Sequence, residues 1–188
     1  MHDIEPYFKW RDRYTAEEDE RSPFYAREYS EFYFTNAVYD HYIHPQWDEI
    51  GSSTLYIKLL IADYQNQYCV IELIGEWNDC INNDIMHLKH NVIDVLIDNG
   101  IMKFILVGEN VFNFHYDGDD YYEEWFQDLE EGWIAAVNFQ EHVLRELTEN
   151  SIDLYLNFGG NLDDMPWRTL EPLSLFKKIE SVLKHRLT

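Results

Sequence analysis

An α/β fold is predicted: a mixed sheet of about five strands that begins with a hairpin, packed by about four helices and preceded by an aromatic-rich N-terminal extension. Three observations predict it. Two apolar-rich runs, Leu55–Asp63 and Tyr68–Ile74, are separated only by a short polar turn at Gln65-Asn66-Gln67. The stretch from Val70 to Val107 reads as strand, long helix, strand. Beyond it, helical and extended patterns alternate, which is the rhythm of crossover connections on a partly parallel sheet.

The first run places Leu55, Ile57, Leu59 and Ile61 on one face by two-residue alternation, and the second does the same with Cys69, Ile71 and Leu73. Two strands this close form an antiparallel hairpin. Asn78-Asp79 supplies caps for a helix reaching Asp98. Ile85, Met86, Leu88, Val92, Ile93, Val95, Leu96 and Ile97 cover more than half of its circumference, leaving a polar strip of His87, Asn91, Asp94 and Asp98. So wide an apolar arc belongs against a sheet. Asn99-Gly100 ends this helix in the left-handed manner. Met102–Val107 is an unbroken apolar run, as a central parallel strand requires. A loop is expected over Gly108–Gly118, then a helix over Asp119–Leu129 with acids in its first turn, where the helix dipole favours them. A strand over Trp133–Phe139, a helix over Gln140–Thr148 and a last strand over Ile152–Phe158 follow. Pro166 and Pro172 bracket a loop before the amphipathic helix Leu173–Arg186, which carries Leu173, Phe176, Ile179 and Leu183 on one face.

The chain divides into an extension, residues 1–52, and the α/β domain, residues 53–188. Between Phe24 and Trp47 the extension holds Phe24, Tyr25, Tyr29, Phe32, Tyr33, Phe34, Tyr39, Tyr42 and Trp47. Disordered arms are poor in aromatics, so this segment is expected to pack on the domain, with exchange between the subunits of a homodimer as the alternative.

Charge restricts the partners. The chain has 14 basic and 36 acidic residues, for a formal net charge of −22. Such a field repels nucleic acid and anionic membrane, and favours a basic protein or a metal ion. The two cysteines, Cys69 and Cys80, form neither a disulfide framework nor a CxxC pair. The opening MHDIEPYFKWRDRY lacks the apolar run of a secretory leader, and no stretch reaches membrane-spanning length, so a cytoplasmic location is expected. No phosphate loop, dinucleotide fingerprint or nucleophile elbow occurs, and no cofactor is expected.

From Leu55 onward, the element order and several local patterns resemble the STAS domain, the fold of anti-sigma-factor antagonists. The apolar strand ending in Gly75-Glu76, the helix start at Asn78-Asp79, the strand Lys103–Val107 and the Trp133–Leu147 strand–helix pair with Asn138 at its turn carry the resemblance. It implies a regulatory module that works by contact with another protein. This sequence departs from the family where a phosphorylatable serine belongs: the corresponding stretch, Gly108–Gly118, contains neither serine nor threonine. The phosphorylation switch is therefore not carried over.

The candidate binding residues are Glu109, Asn110, His115, Asp117, Asp119, Asp120, Tyr121, Tyr122 and Trp125. In open α/β sheets ligands gather at the carboxyl ends of strands, where this stretch lies. Two readings stand side by side: a contact surface for another protein, and a metal-dependent enzyme using the acids of 109–124, including Glu123 and Glu124. The stretch lacks the register of a calcium loop, and an acidic helix start stabilised by the dipole accounts for the same residues. A second cluster, Asp40, His41, His44, Asp48 and Glu49, reads as a metal site or as ordinary histidines among packed aromatics.

Overall fold

The protein is described by a computed structural model covering residues 2–186. Three short strands, β1 (His2–Ile4), β2 (Asn36–Val38) and β3 (His41–Ile43), form a small sheet in the order β1-β3-β2. The main sheet has five strands in the order β4-β5-β6-β7-β8: β4 (Asp48–Glu49), β5 (Leu55–Asp63), β6 (Tyr68–Asn78), β7 (Lys103–His115) and β8 (Trp133–Val137). The β5–β6 hairpin is antiparallel, and β6, β7 and β8 run parallel. The fold is thus mixed α/β with an initial hairpin, as the sequence predicts.

Three elements differ from expectation. The Gly108–Gly118 segment is not a loop up to its last residues, because β7 continues to His115. Its pairing with β6 runs Glu72↔Val107, Ile74↔Asn110, Gly75↔Val111, Glu76↔Asn113, so β7 carries an extra residue at two places. Each bulge interrupts the two-residue alternation. Burial then falls at Val111 and Phe114, a spacing that no strand template recognises. Second, Ile152–Phe158 is not a ladder strand. Ile152–Leu154 makes a 3-10 turn, and only Asn157 bridges to Ala135 of β8. The fifth strand is β4 instead, which precedes the boundary read at residue 52 and pairs with β5. Third, the long helix is built of α1 (Asp79–Asn82), α2 (Asp84–Leu88) and α3 (Asp94–Asp98), broken at left-handed Asn83 and widened by a π turn over Lys89–Ile93.

Helices α4 (Asp120–Asp128) and α5 (Glu141–Glu149) share one face of the sheet with this helix. There Leu55, Ile57, Ile71, Leu73, Phe104 and Leu106 meet Leu88, Val92, Leu96 and Trp125. The opposite face is covered by α6 (Pro172–Arg186) and by Trp10 of the extension, over Leu60, Tyr68, Val70, Ile105 and Val137. Tyr7, Trp10 and Trp167 meet edge to face, with centroids 4.9–5.6 Å apart. The small sheet covers the remainder of that face, with Val38, Ile43 and Trp47 on Tyr56 and Ile74. Among the described residues no helix is long and apolar enough to cross a membrane.

Lys89, which begins the π turn, is buried, its side chain 1 % exposed, and reaches three carboxylates: Asp94, Glu124 at 3.2 Å and Asp128 at 2.8 Å. Burial alone would lower its pKa, but the hydrogen bonds to these carboxylates together outweigh it and hold the ammonium charged. Lys89 therefore clamps α4 to the long helix. Replacing it with methionine keeps the stem and removes the clamp. Because the carboxylates are only partly buried, the cost expected in urea unfolding at pH 7 is about 2 kcal/mol rather than the larger loss of a fully buried pair. An unchanged midpoint would show that the clamp contributes nothing.

Candidate interaction surface

The predicted site residues occupy separate environments. Glu109 sits on β7, half-buried, and accepts hydrogen bonds from Asn138 Nδ2 at 3.0 Å, Trp167 Nε1 at 2.8 Å and Arg168. Burial raises its pKa, but these three partners together hold it below the usual carboxylate range. Its role here is to fasten the 3-10 turn Trp167–Thr169 to the sheet. Asn110 pairs in register with Ile74. Asp117 and Asp120 are exposed, and Asp119 accepts from Tyr155 Oη at 2.7 Å. Tyr121 meets His90 edge-on, with centroids 5.3 Å apart.

Tyr122 and Trp125 belong to the core. Trp125 packs edge-on to Phe104 at 5.2 Å, and Tyr122 donates to Asp79 Oδ2 at 2.7 Å. Asp79 also accepts from the Ile85 amide at 2.9 Å and Trp77 Nε1 at 3.1 Å. Burial nonetheless pushes its pKa up to about 6, with Asp84 adding to the rise. Both carboxyls serve the helix start, since Asp84 accepts from the Asn78 amide at 2.7 Å. Glu124 is taken by Lys89. The acids of 109–124 thus do not converge, and among the described residues no three or more His, Cys, Asp or Glu side chains are placed to hold a metal ion.

His115 is the predicted residue that leads elsewhere. At the carboxyl end of β7 its Nε2 lies 3.2 Å from Glu76 Oε1, and Glu76 also accepts from Asn78 Nδ2 at 2.6 Å and from the Tyr39 hydroxyl. Tyr39 accepts in turn from Asn113 Nδ2 at 2.9 Å. Tyr39 stands at the β2–β3 turn, and His41 stacks on Phe112 with centroids 4.5 Å apart. These contacts pin the small sheet to the ends of β6 and β7.

The pinned layer presents aromatic rings to solvent. Phe32 is 84 % exposed, Tyr33 77 %, Tyr39 56 % and Tyr42 42 %. Glu31 to Thr35 is exposed throughout, and Ser30 Oγ holds its backbone by accepting from the amides of Phe32 and Tyr33 at 3.2 and 3.1 Å. Phe34 meets Tyr42 and His44 edge to face. The aromatic density of the sequence identifies the segment. Which rings face outward does not follow from it, because the partition depends on which strands of the extension pair.

No family model matches the chain, and no curated protein matches it. Solved structures are similar to it, two of them as follows. One is the anti-sigma factor antagonist SpoIIAA in its unphosphorylated form, 13 % identical, covering 55 % of this chain and 88 % of that one at a TM-score of 0.42. The other is the Bacillus cell fate determinant SpoIIAA in the phosphorylated form, 11 % identical, covering 55 % and 91 % at a TM-score of 0.38. The likeness is one of fold alone.

Proposed function

We propose that this chain is a non-enzymatic, regulatory protein-interaction module whose working surface is the exposed aromatic layer where it meets the ends of β6 and β7. The observation that supports this reading is the row Phe32, Tyr33, Tyr39 and Tyr42, rings left in water on a segment whose backbone is nevertheless tied down. Aromatic side chains held in place lose little entropy on docking, and they are the residues that anchor protein interfaces. The acidic charge of the chain selects a partner with a basic rim. The metal-dependent alternative has no converging carboxylates to support it, and the surface moves from 109–125 to the layer beside it because Tyr122 and Trp125 are in the core.

The test is capture of a partner by the immobilised chain, compared with the Phe32→Ala/Tyr42→Ala double variant. Both rings are exposed, so the melting temperature is expected to stay within about 2 °C while capture falls at least tenfold. Capture indifferent to the double variant would sink this surface. Loss of a dimer in light scattering on the same substitutions would assign the layer to a second copy of the chain.

A further inference from the structure

Beside the exposed rings lies a cavity of about 260 Å³ whose walls include Tyr33, Trp47, Tyr56, His44 and Glu49. Among the described residues no lysine or arginine lines it. Elsewhere the protein places its own cations over rings: Arg21 lies 3.5 Å from the Tyr64 ring centroid, Lys58 3.9 Å from that of Tyr29, and Arg168 4.4 Å from that of Trp167. Here Arg27 is turned to Asp48 at 3.0 Å and to the Glu49 carbonyl at 3.3 Å, outside the cavity lining, and the Glu49 carboxylate accepts from Asn36 Nδ2 at 2.7 Å through Oε1. Trp47 is buried and fixed, its Nε1 donating to the Ile4 carbonyl at 2.7 Å, and Tyr56 donates to the Ser53 carbonyl at 3.2 Å. Glu49 pairs in register with Tyr56 and is exposed, and Glu5 lies 3.3 Å from His44. A ring quadrupole and a carboxylate together attract a cation, and a planar guanidinium both stacks on rings and engages a carboxylate.

We infer that this cavity receives an arginine side chain from the basic partner, which makes it the specificity pocket of the proposed surface. The inference rests on the interaction reading. It adds that one cationic side chain, inserted among Tyr33, Trp47 and Tyr56 beside Glu49, sets which basic protein docks. Among the described residues no lysine or arginine lines the cavity, and the chain's net charge of −22 draws a cationic segment of another protein toward it.

The experiment titrates the full, isotope-labelled chain with the blocked peptide acetyl-Gly-Ser-Arg-Ser-Gly-amide and with the same peptide carrying citrulline, the neutral isostere. Chemical shifts are followed at the Trp47 indole and the amides of residues 43–57. Saturable shifts with arginine and none with citrulline are expected. The dissociation constant should rise about fivefold in Tyr33→Ala and in Glu49→Gln, two variants of exposed residues that leave the fold intact. Equal responses to the two peptides, or shifts indifferent to both variants, would overturn the pocket. So would shifts at these amides on concentrating the chain alone, which would give the cavity to a second copy. A silent titration together with capture that still needs Phe32 and Tyr42 removes the pocket and leaves the surface. Saturable arginine binding with capture indifferent to those rings keeps the pocket and removes the wider surface.

Discussion

Replacing Gly75 with alanine is expected to destabilise the fold by on the order of 4 kcal/mol, lowering the melting temperature by roughly 10 °C. Gly75 lies in β6, paired with Leu55 on one side and Val111 on the other, at the point where β7 bulges twice. Its φ of +115° is open to glycine and strained for any side chain. A Cβ there would stand 2.0 Å from the Thr54 carbonyl oxygen, and that oxygen accepts the Glu76 amide at 2.9 Å. Neither atom moves freely, because both are backbone: Glu76 lies in β6, and Thr54 directly precedes β5. Gly118→Ala is the control, since a Cβ at Gly118 meets nothing within 4 Å. Thermal unfolding followed by circular dichroism checks both, and a Gly75→Ala protein melting within about 2 °C of the parent would show that the sheet relaxes around the methyl group.

Gly75 also shows what was legible in the sequence and what was not. The apolar run before Gly75-Glu76 marks the strand by pattern but not its end, because β6 continues through Gly75 to Asn78; the hairpin, the long helix, β8, α5 and α6 follow from periodicity within a few residues. Those elements are visible because their burial is regular. The continuation of β7 is invisible because its bulges put buried Val111 and Phe114 out of phase with any strand template. Ile152–Phe158 misleads in the opposite sense: a 3-10 turn buries Ile152 and leaves Leu154 in solvent, and Ile152 and Leu156 are used by chain packing rather than by a ladder. The acidic stretch shows the limit for sites. Spacing lists Glu109, His115, Asp119 and Glu124 together, yet each answers to a different partner, Arg168, Glu76, Tyr155 and Lys89, that is distant in sequence. Tyr122 and Trp125 face inward because α4 packs on the long helix, and a helix of nine residues with mixed polarity carries no clear signal of which side that is.

The second large effect concerns pH. Glu72 is buried on the sheet face that carries the extension, opposite Lys58 in the β5–β6 register. It accepts the Tyr7 amide at 2.8 Å, with Arg168 at 3.6 Å and Glu109 as a like charge nearby. Lys58 itself is drawn toward neutrality by burial and turned to Asp48 at 3.4 Å. Burial raises the Glu72 pKa from 4.5 to about 7, the Tyr7 amide and Arg168 offsetting only part of it. A carboxyl whose pKa is raised by folding binds its proton more tightly in the native state. Its contribution is therefore fully present below pH 4.5 and is lost as pH rises through about 7. The interval amounts to about 3 kcal/mol. Glu72→Gln retains a side-chain carbonyl for the Tyr7 amide and carries no charge to desolvate. Relative to the parent, it is expected to gain about 3 kcal/mol between pH 5 and pH 8 in urea unfolding. Asp79, raised to about 6 by burial, bends the stability of both proteins the same way and cancels in the difference. A difference between parent and variant that is the same at both pH values would mean that Glu72 titrates near the normal carboxylate range. The Arg168 contact would then supply most of the stabilisation of its charge. Because ionised Glu72 accepts the Tyr7 amide and pairs with Arg168, its charge seats the start of the extension, and above pH 7 hydrogen exchange at the Tyr7 amide is expected to be faster in the glutamine variant than in the parent; equal rates would show that the charge adds nothing to that seat.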